Sequence, residues 1–105
     1  MWFFNPPMYA EFVQIWRQPY VINSHDCSNK AGRYARVLRD VALLDAVVLV
    51  MSTPKGAHAI VEVKHKGKWW YCDPTSGKCT KDIDDHGTLI HTLSEHDLYA
   101  SLEYR

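Results

Sequence analysis
A thiol, an imidazole and a carboxylate gathered at one point can transfer acyl groups. The thiolate attacks a carbonyl, the imidazole moves the proton, and the carboxylate fixes the imidazole's tautomer. Cys27, His58 and Asp73 occur in that order in this chain of 105 residues. Asp26 has the character of a helix N-cap, which would put Cys27 in the first turn of the helix that follows, where the positive end of the dipole favours thiolate over thiol. The same turn offers backbone N–H groups, that of Cys27 among them, to a developing oxyanion.

His58 and Asp73 are linked by the stretch His58 to Thr75, which alternates as two strands around a tight turn. Val61, Val63, Trp70 and Cys72 can share one face while Ile60, Glu62, Trp69 and Tyr71 share the other. Lys66-Gly67 suits a two-residue hairpin loop, since glycine takes positive φ without steric cost. That loop sets Asp73 opposite Ile60 and diagonal to His58, both polar side chains on one face. Diagonal neighbours lie about 7–8 Å apart at Cα, a gap that an imidazole and a carboxylate can close. A three-residue loop would send them to opposite faces.

The elements that must hold these residues follow from periodicity. Pro6-Pro7 can open a helix from Met8 to Arg17 with an aromatic stripe of Met8, Tyr9, Phe12, Val13 and Trp16, and Pro19 ends it. A second helix runs from the Asp26 cap to about Asp40 and buries Ala31, Tyr34, Ala35, Leu38 and Val41. Ala46 to Met51 is a continuous apolar run, as a central strand covered on both faces would be. Ser52 to Gly56 is a loop; Ala57 to Lys64 and Lys68 to Asp73 are the next strands. Lys78 to Gly87 is polar, and Ser94 can cap a last helix carrying Leu98, Ala100 and Leu102. The expected fold is α+β, a single domain over residues 1–105, with a small antiparallel sheet of about three strands packed on the Cys27 helix.

Composition narrows the function classes. Twelve basic and twelve acidic residues cancel without any Lys/Arg block, so no electrostatic footprint for nucleic acid or an anionic membrane is present. Trp2-Phe3-Phe4 lacks the basic lead-in and the length of a signal sequence, and no stretch approaches the roughly 20 apolar residues of a spanning helix. A cytoplasmic protein is expected. Three cysteines do not make a disulfide framework, and free thiols are expected, although Cys72 and Cys79 could pair across the Pro74–Gly77 turn. The spacings of His25, Cys27, Cys72, Cys79, His86, His91 and His96, and of Asp82, Asp84 and Asp85, match no metal site, so no metal and no cofactor are expected.

DCSNKAGRYARVLRDVALLDAVVLVMS followed by HAIVEVKHKGKWWYCDPTSG resembles the transglutaminase-like domains of the papain-like cysteine fold. The motifs that carry the resemblance are a Cys leading a helix, the His58–Val63 segment HAIVEV, and a hairpin ending in Trp69-Trp70-Tyr71-Cys72-Asp73-Pro74-Thr75. Together they span roughly half the chain. The resemblance implies Cys27 as nucleophile, His58 as general base and Asp73 as orienting carboxylate. It also implies a papain-like core and cysteine-dependent acyl transfer on a peptide or carboxamide bond through a thioester. Water as acceptor makes a peptidase or amidase, a primary amine a transamidase. The chain has Ser24-His25-Asp26 where a glycine is frequent before the Cys, and Ile60 where an aromatic is frequent after the His. Two other outcomes stay open: a non-catalytic binding module on the same fold, and an arylamine-type acetyltransferase, which shares the Cys-His-Asp set. Gln18 and Tyr20, a short way upstream of Cys27, are candidates for the second oxyanion donor. The expected partner is a protein or peptide substrate. The short chain leaves room for a second copy or a partner protein to complete the cleft.

Overall fold
A computed structural model describes residues 5–22 and 26–93. The expected helix from Ser94 and the residues Asn23, Ser24 and His25 lie outside that range. Helix α1 is Tyr9–Arg17 and α2 is Cys27–Asp40; the strands are β1 Ala46–Thr53, β2 Gly56–His65, β3 Lys68–Asp73, β4 Lys78–Thr80 and β5 Thr88–Thr92, with a 3-10 turn at Ile83–His86 before the last. Among the described residues the strands form one antiparallel sheet in the order β4-β3-β2-β1-β5. The sheet therefore has five strands, not three. The two additions are its edges. Lys-Cys-Thr is too short to show an alternation, and all five residues of β5 are exposed, so neither carries a burial pattern.

The central hairpin has the expected register. His65 faces Lys68 and Val61 faces Cys72, around a turn in which Lys66 (φ +53°) and Gly67 (φ +76°) both take positive φ, the backbone of a tight hairpin loop whose twist matches its strands. Val61, Val63, Trp70 and Cys72 are buried on the face that receives α2, while Trp69 on the other face is 46% exposed. Strand β1, between β2 and β5, is covered on both sides: Val48 joins the core under α2, and Leu49 and Met51 join a smaller cluster with Ile60.

Helix α2 starts where its cap chemistry says it should. Asp26 accepts the Asn29 N–H at 3.1 Å while the Asn29 side chain accepts the Asp26 N–H at 3.3 Å, which satisfies two end groups at once. Ala31, Tyr34, Ala35 and Leu38 are fully buried, whereas Val41 is 65% exposed. Val41 keeps the angular position of Tyr34 but is the C-cap, one residue past the end of the helix, where the buried stripe stops. In α1 only Phe12 of the aromatic stripe is fully buried. It meets Tyr34 edge to face at 5.1 Å, and Tyr34 anchors the chain before α1 by donating its hydroxyl to the Pro7 carbonyl at 2.7 Å. Among the described residues no helix is long and apolar enough to cross a membrane.

Candidate active site
The sheet face that receives α2 and the face that carries His58 and Asp73 are opposite, so a cysteine on the helix can meet the histidine only at a strand edge. The β2–β3 ladder supplies that edge. It ends at Val61–Cys72, while β2 extends back to Gly56. Cys27 sits beside this stretch, which is open on its β3 side, in a cleft it shares with His58 and Ala59, close enough to both for them to lower its pKa.

His58 is shared between two partners. Its Nε2 lies 2.7 Å from Asp73 Oδ2, which leaves Nδ1 as the ring nitrogen for the sulfur. Asp73 in turn is held by the turn that follows it. Its Oδ1 accepts the N–H groups of Thr75 at 2.9 Å and Ser76 at 3.4 Å, and its Oδ2 accepts the Ser76 hydroxyl at 2.8 Å. The side chains of His58 and Asp73 are only 24% and 11% exposed, so these bonds are made with little competition from water.

The electrostatics follow from those contacts. The Asp73 hydrogen bond, and after it that of Cys27, push the His58 ring up to about 10 against the opposing effect of burial. The hydrogen bond from His58 holds the Cys27 thiol below its ordinary value, with burial working against it and the Ala59 N–H with it. Burial tends to raise the Asp73 carboxyl, but the bonds from His58, Ser76 and Thr75 together outweigh it and hold the group below its usual range. The combination favours a thiolate–imidazolium pair backed by a carboxylate.

Gln18 and Tyr20 are not among the described residues that line the cleft at Cys27. Gln18 borders a separate cleft with Gln14, Arg17 and Pro19, and Tyr20 is 54% exposed. Nearness in sequence misleads here because the backbone after α1 is fixed by a residue that carries no motif. Lys30, buried at 2% exposure, donates its ammonium to the carbonyls of Trp16 at 3.1 Å and Gln18 at 2.6 Å. Burial lowers its pKa, and the charge of Asp73 opposes that. Its position four residues before Tyr34, on the buried stripe of α2, is the signal that could have revealed it. Ser76 is the other residue of the site that spacing alone did not mark.

Trp16 has a task at the site as well. It lies over Gly77, which has φ +83° and donates its N–H to the Asp73 carbonyl at 2.9 Å; a Cβ on Gly77 would overlap the indole. Gly77→Ala is therefore expected to destabilise the protein by about 2–3 kcal/mol, combining left-handed backbone strain with overpacking. Gly67→Ala, also at positive φ but with nothing within 4 Å of its Cβ, should lose only about 1 kcal/mol. Urea denaturation midpoints of the two variants check the difference.

Among the described residues, no group of three or more His, Cys, Asp and Glu side chains could hold a metal ion. The three cysteines are unbonded, and Cys72 and Cys79 face each other across β3 and β4. Comparison of the chain with protein-family models, curated proteins and solved structures finds no match.

Proposed function
We propose that this protein is a cysteine-dependent acyl-transfer enzyme with a transglutaminase-like, papain-like core, acting on a peptide or carboxamide bond. The observation that carries the proposal is the His58 ring, held by Asp73 at 2.7 Å on one side and lining one cleft with Cys27 on the other. In the first step the thiolate attacks the carbonyl carbon. Negative charge moves to the carbonyl oxygen, where N–H groups at the start of α2 can receive it. As the tetrahedral species collapses, the C–N bond breaks, and His58 gives its proton to the departing amine. The acyl group is left on sulfur as a thioester. In the second step water adds to that thioester while His58 takes its proton, and the carboxylic acid and free sulfur are restored. A primary amine in place of water would give transamidation, but among the described residues no feature of the cleft excludes water, so hydrolysis is the favoured outcome.

Thiol reactivity tests the proposal. Iodoacetamide should alkylate Cys27 at pH 6 at least about tenfold faster than Cys79, because a thiol of ordinary pKa, near 8.5, is almost wholly protonated there. Cys79 is held even further toward the thiol by its hydrogen bond to Cys72 and by burial, and Cys72 is fully buried. His58→Ala should abolish the low-pH reaction. Equal labelling of Cys27 and Cys79 at every pH, read by mass spectrometry of the labelled peptides, would point instead to a binding module without turnover.

A further inference from the structure
Among the described residues, the helix-facing side of the sheet is not fully covered. Beneath α2 it presents Ala46, Val48, Val61 and Val63, buried against Ala31, Tyr34, Ala35 and Leu38. Past the start of the helix the same face continues as half-buried Val50 and its directly paired neighbour Ala59, which is itself buried in the core cluster, and then as exposed Ala57 two residues back along β2. The result is a cleft of about 180 Å³ whose described lining is Cys27, Ser28, Val50, Ala57, His58 and Ala59. Its floor is apolar, and its depth comes from the two alanines, whose side chains end at Cβ. Among the described lining residues the titratable groups are Cys27 and His58, the two that would react.

We infer that the acyl half of the substrate carries an uncharged apolar side chain, no bulkier than a single ring, seated on Val50, Ala57 and Ala59 beside the sulfur. This deepens the acyl-transfer proposal and rests on it. The size preference follows from volume: an apolar cavity of about 150 Å³ accommodates benzene, and a larger group would extend past the apolar floor into solvent. The charge preference follows from desolvation: a carboxylate or ammonium placed on this floor would lose water, and among the described lining residues the charged groups are the reacting pair, already engaged with each other and with Asp73. The opposite side of His58 differs. The cleft of about 240 Å³ there is walled by Asp73, Lys78, Asp85 and His86, and it does not include the sulfur.

Three activated esters test the inference: p-nitrophenyl acetate, p-nitrophenyl isovalerate and mono-p-nitrophenyl succinate. In each, a C–S bond forms, the ester C–O bond breaks and p-nitrophenolate leaves with the electron pair; water then hydrolyses the thioester. First-turnover release of p-nitrophenolate, divided by the rate of the same ester with N-acetylcysteine, removes differences in intrinsic reactivity. The isovaleryl ester should acylate Cys27 about tenfold faster than the acetyl ester, and the succinyl ester more slowly than both. Ala57 is exposed, so Ala57→Leu, which fills the cleft, and Ala57→Glu, which charges it, should each remove the isovaleryl advantage. If wild-type Cys27 shows its low-pH alkylation yet the three esters react alike, or the succinyl ester reacts fastest, the inference is overturned and the acyl-transfer proposal stands. If Cys27 alkylates no faster than Cys79, both are overturned.

Discussion

His58→Ala is expected to lower the proposed acyl transfer by about 10³- to 10⁴-fold, since it removes the proposed general base and the cation that would sustain the thiolate in one change. The pH profile should change shape as well as height. In the wild-type protein the reactive pair exists between the lowered value of Cys27 and the value of about 10 for His58. The rate should therefore rise as Cys27 ionises, hold a plateau, and fall as the imidazolium loses its proton near pH 10. Without the imidazole the residual rate should climb with pH in a single step, following an unassisted thiol. Stability changes with a definite sign. A histidine whose pKa rises on folding, here from 6.5 to about 10, contributes stability that is fully present below its unfolded value and lost as pH rises through the folded one. The wild-type protein should therefore hold its largest advantage over His58→Ala below about pH 6.5 and lose it toward pH 10. Rates from pH 5 to 11, with urea midpoints at pH 6 and pH 10, check both statements.

The parts of this arrangement visible in the sequence are those encoded by local chemistry. The two-residue loop at Lys66-Gly67 fixes the β2–β3 register, and the register places Asp73 beside His58. The Asp26 cap fixes the start of α2, and hence the position of Cys27 in its first turn. What sequence could not supply is the relation between layers. The helix and the His58 face lie on opposite sides of the sheet, and they meet only because β3 ends at Asp73 and leaves the β2 edge open. That fact belongs to strand length and pairing, not to any motif. The edge strands were hidden for a related reason. Thr88–Thr92 has every residue exposed, so its place in the sheet is set by backbone pairing to β1 alone. Trp16 illustrates the same limit: its spacing marks a helix stripe, but its use as a cover for the Asp73 turn depends on a glycine sixty-one positions away.

The second large effect belongs to Asp73→Asn, a change of almost no volume that should lower acyl transfer by about 10⁴-fold. The reason is the orientation an amide must take in this turn. Oδ1 accepts two backbone N–H groups, from Thr75 and Ser76. An asparagine that kept its oxygen there would turn its NH2 toward His58 Nε2; the reverse orientation would set the NH2 against both backbone donors. The first arrangement is the less costly, because it needs only the Ser76 hydroxyl, which donates to Oδ2 in the wild type, to turn and accept, whereas the backbone N–H groups cannot. It makes Nε2 an acceptor, so the neutral ring carries its proton on Nδ1, toward Cys27. A ring protonated there cannot take the proton of the thiol or of the attacking water. Loss of the correct tautomer by an aspartate-to-asparagine change costs about this much in a serine protease triad. Removing the carboxylate also removes the first cause of the raised His58 pKa, so the imidazolium should titrate well below 10. Wild-type stability carries the matching signature. A carboxyl whose folded pKa is held below its ordinary value of 3.8 contributes stability that is present above that value and lost as pH falls through the lowered one, and the asparagine variant should lack this dependence. Nitrogen-15 chemical shifts of the His58 ring distinguish the tautomers directly. A variant with Nε2 still protonated and activity within tenfold of wild type would show that Asp73 only packs the turn.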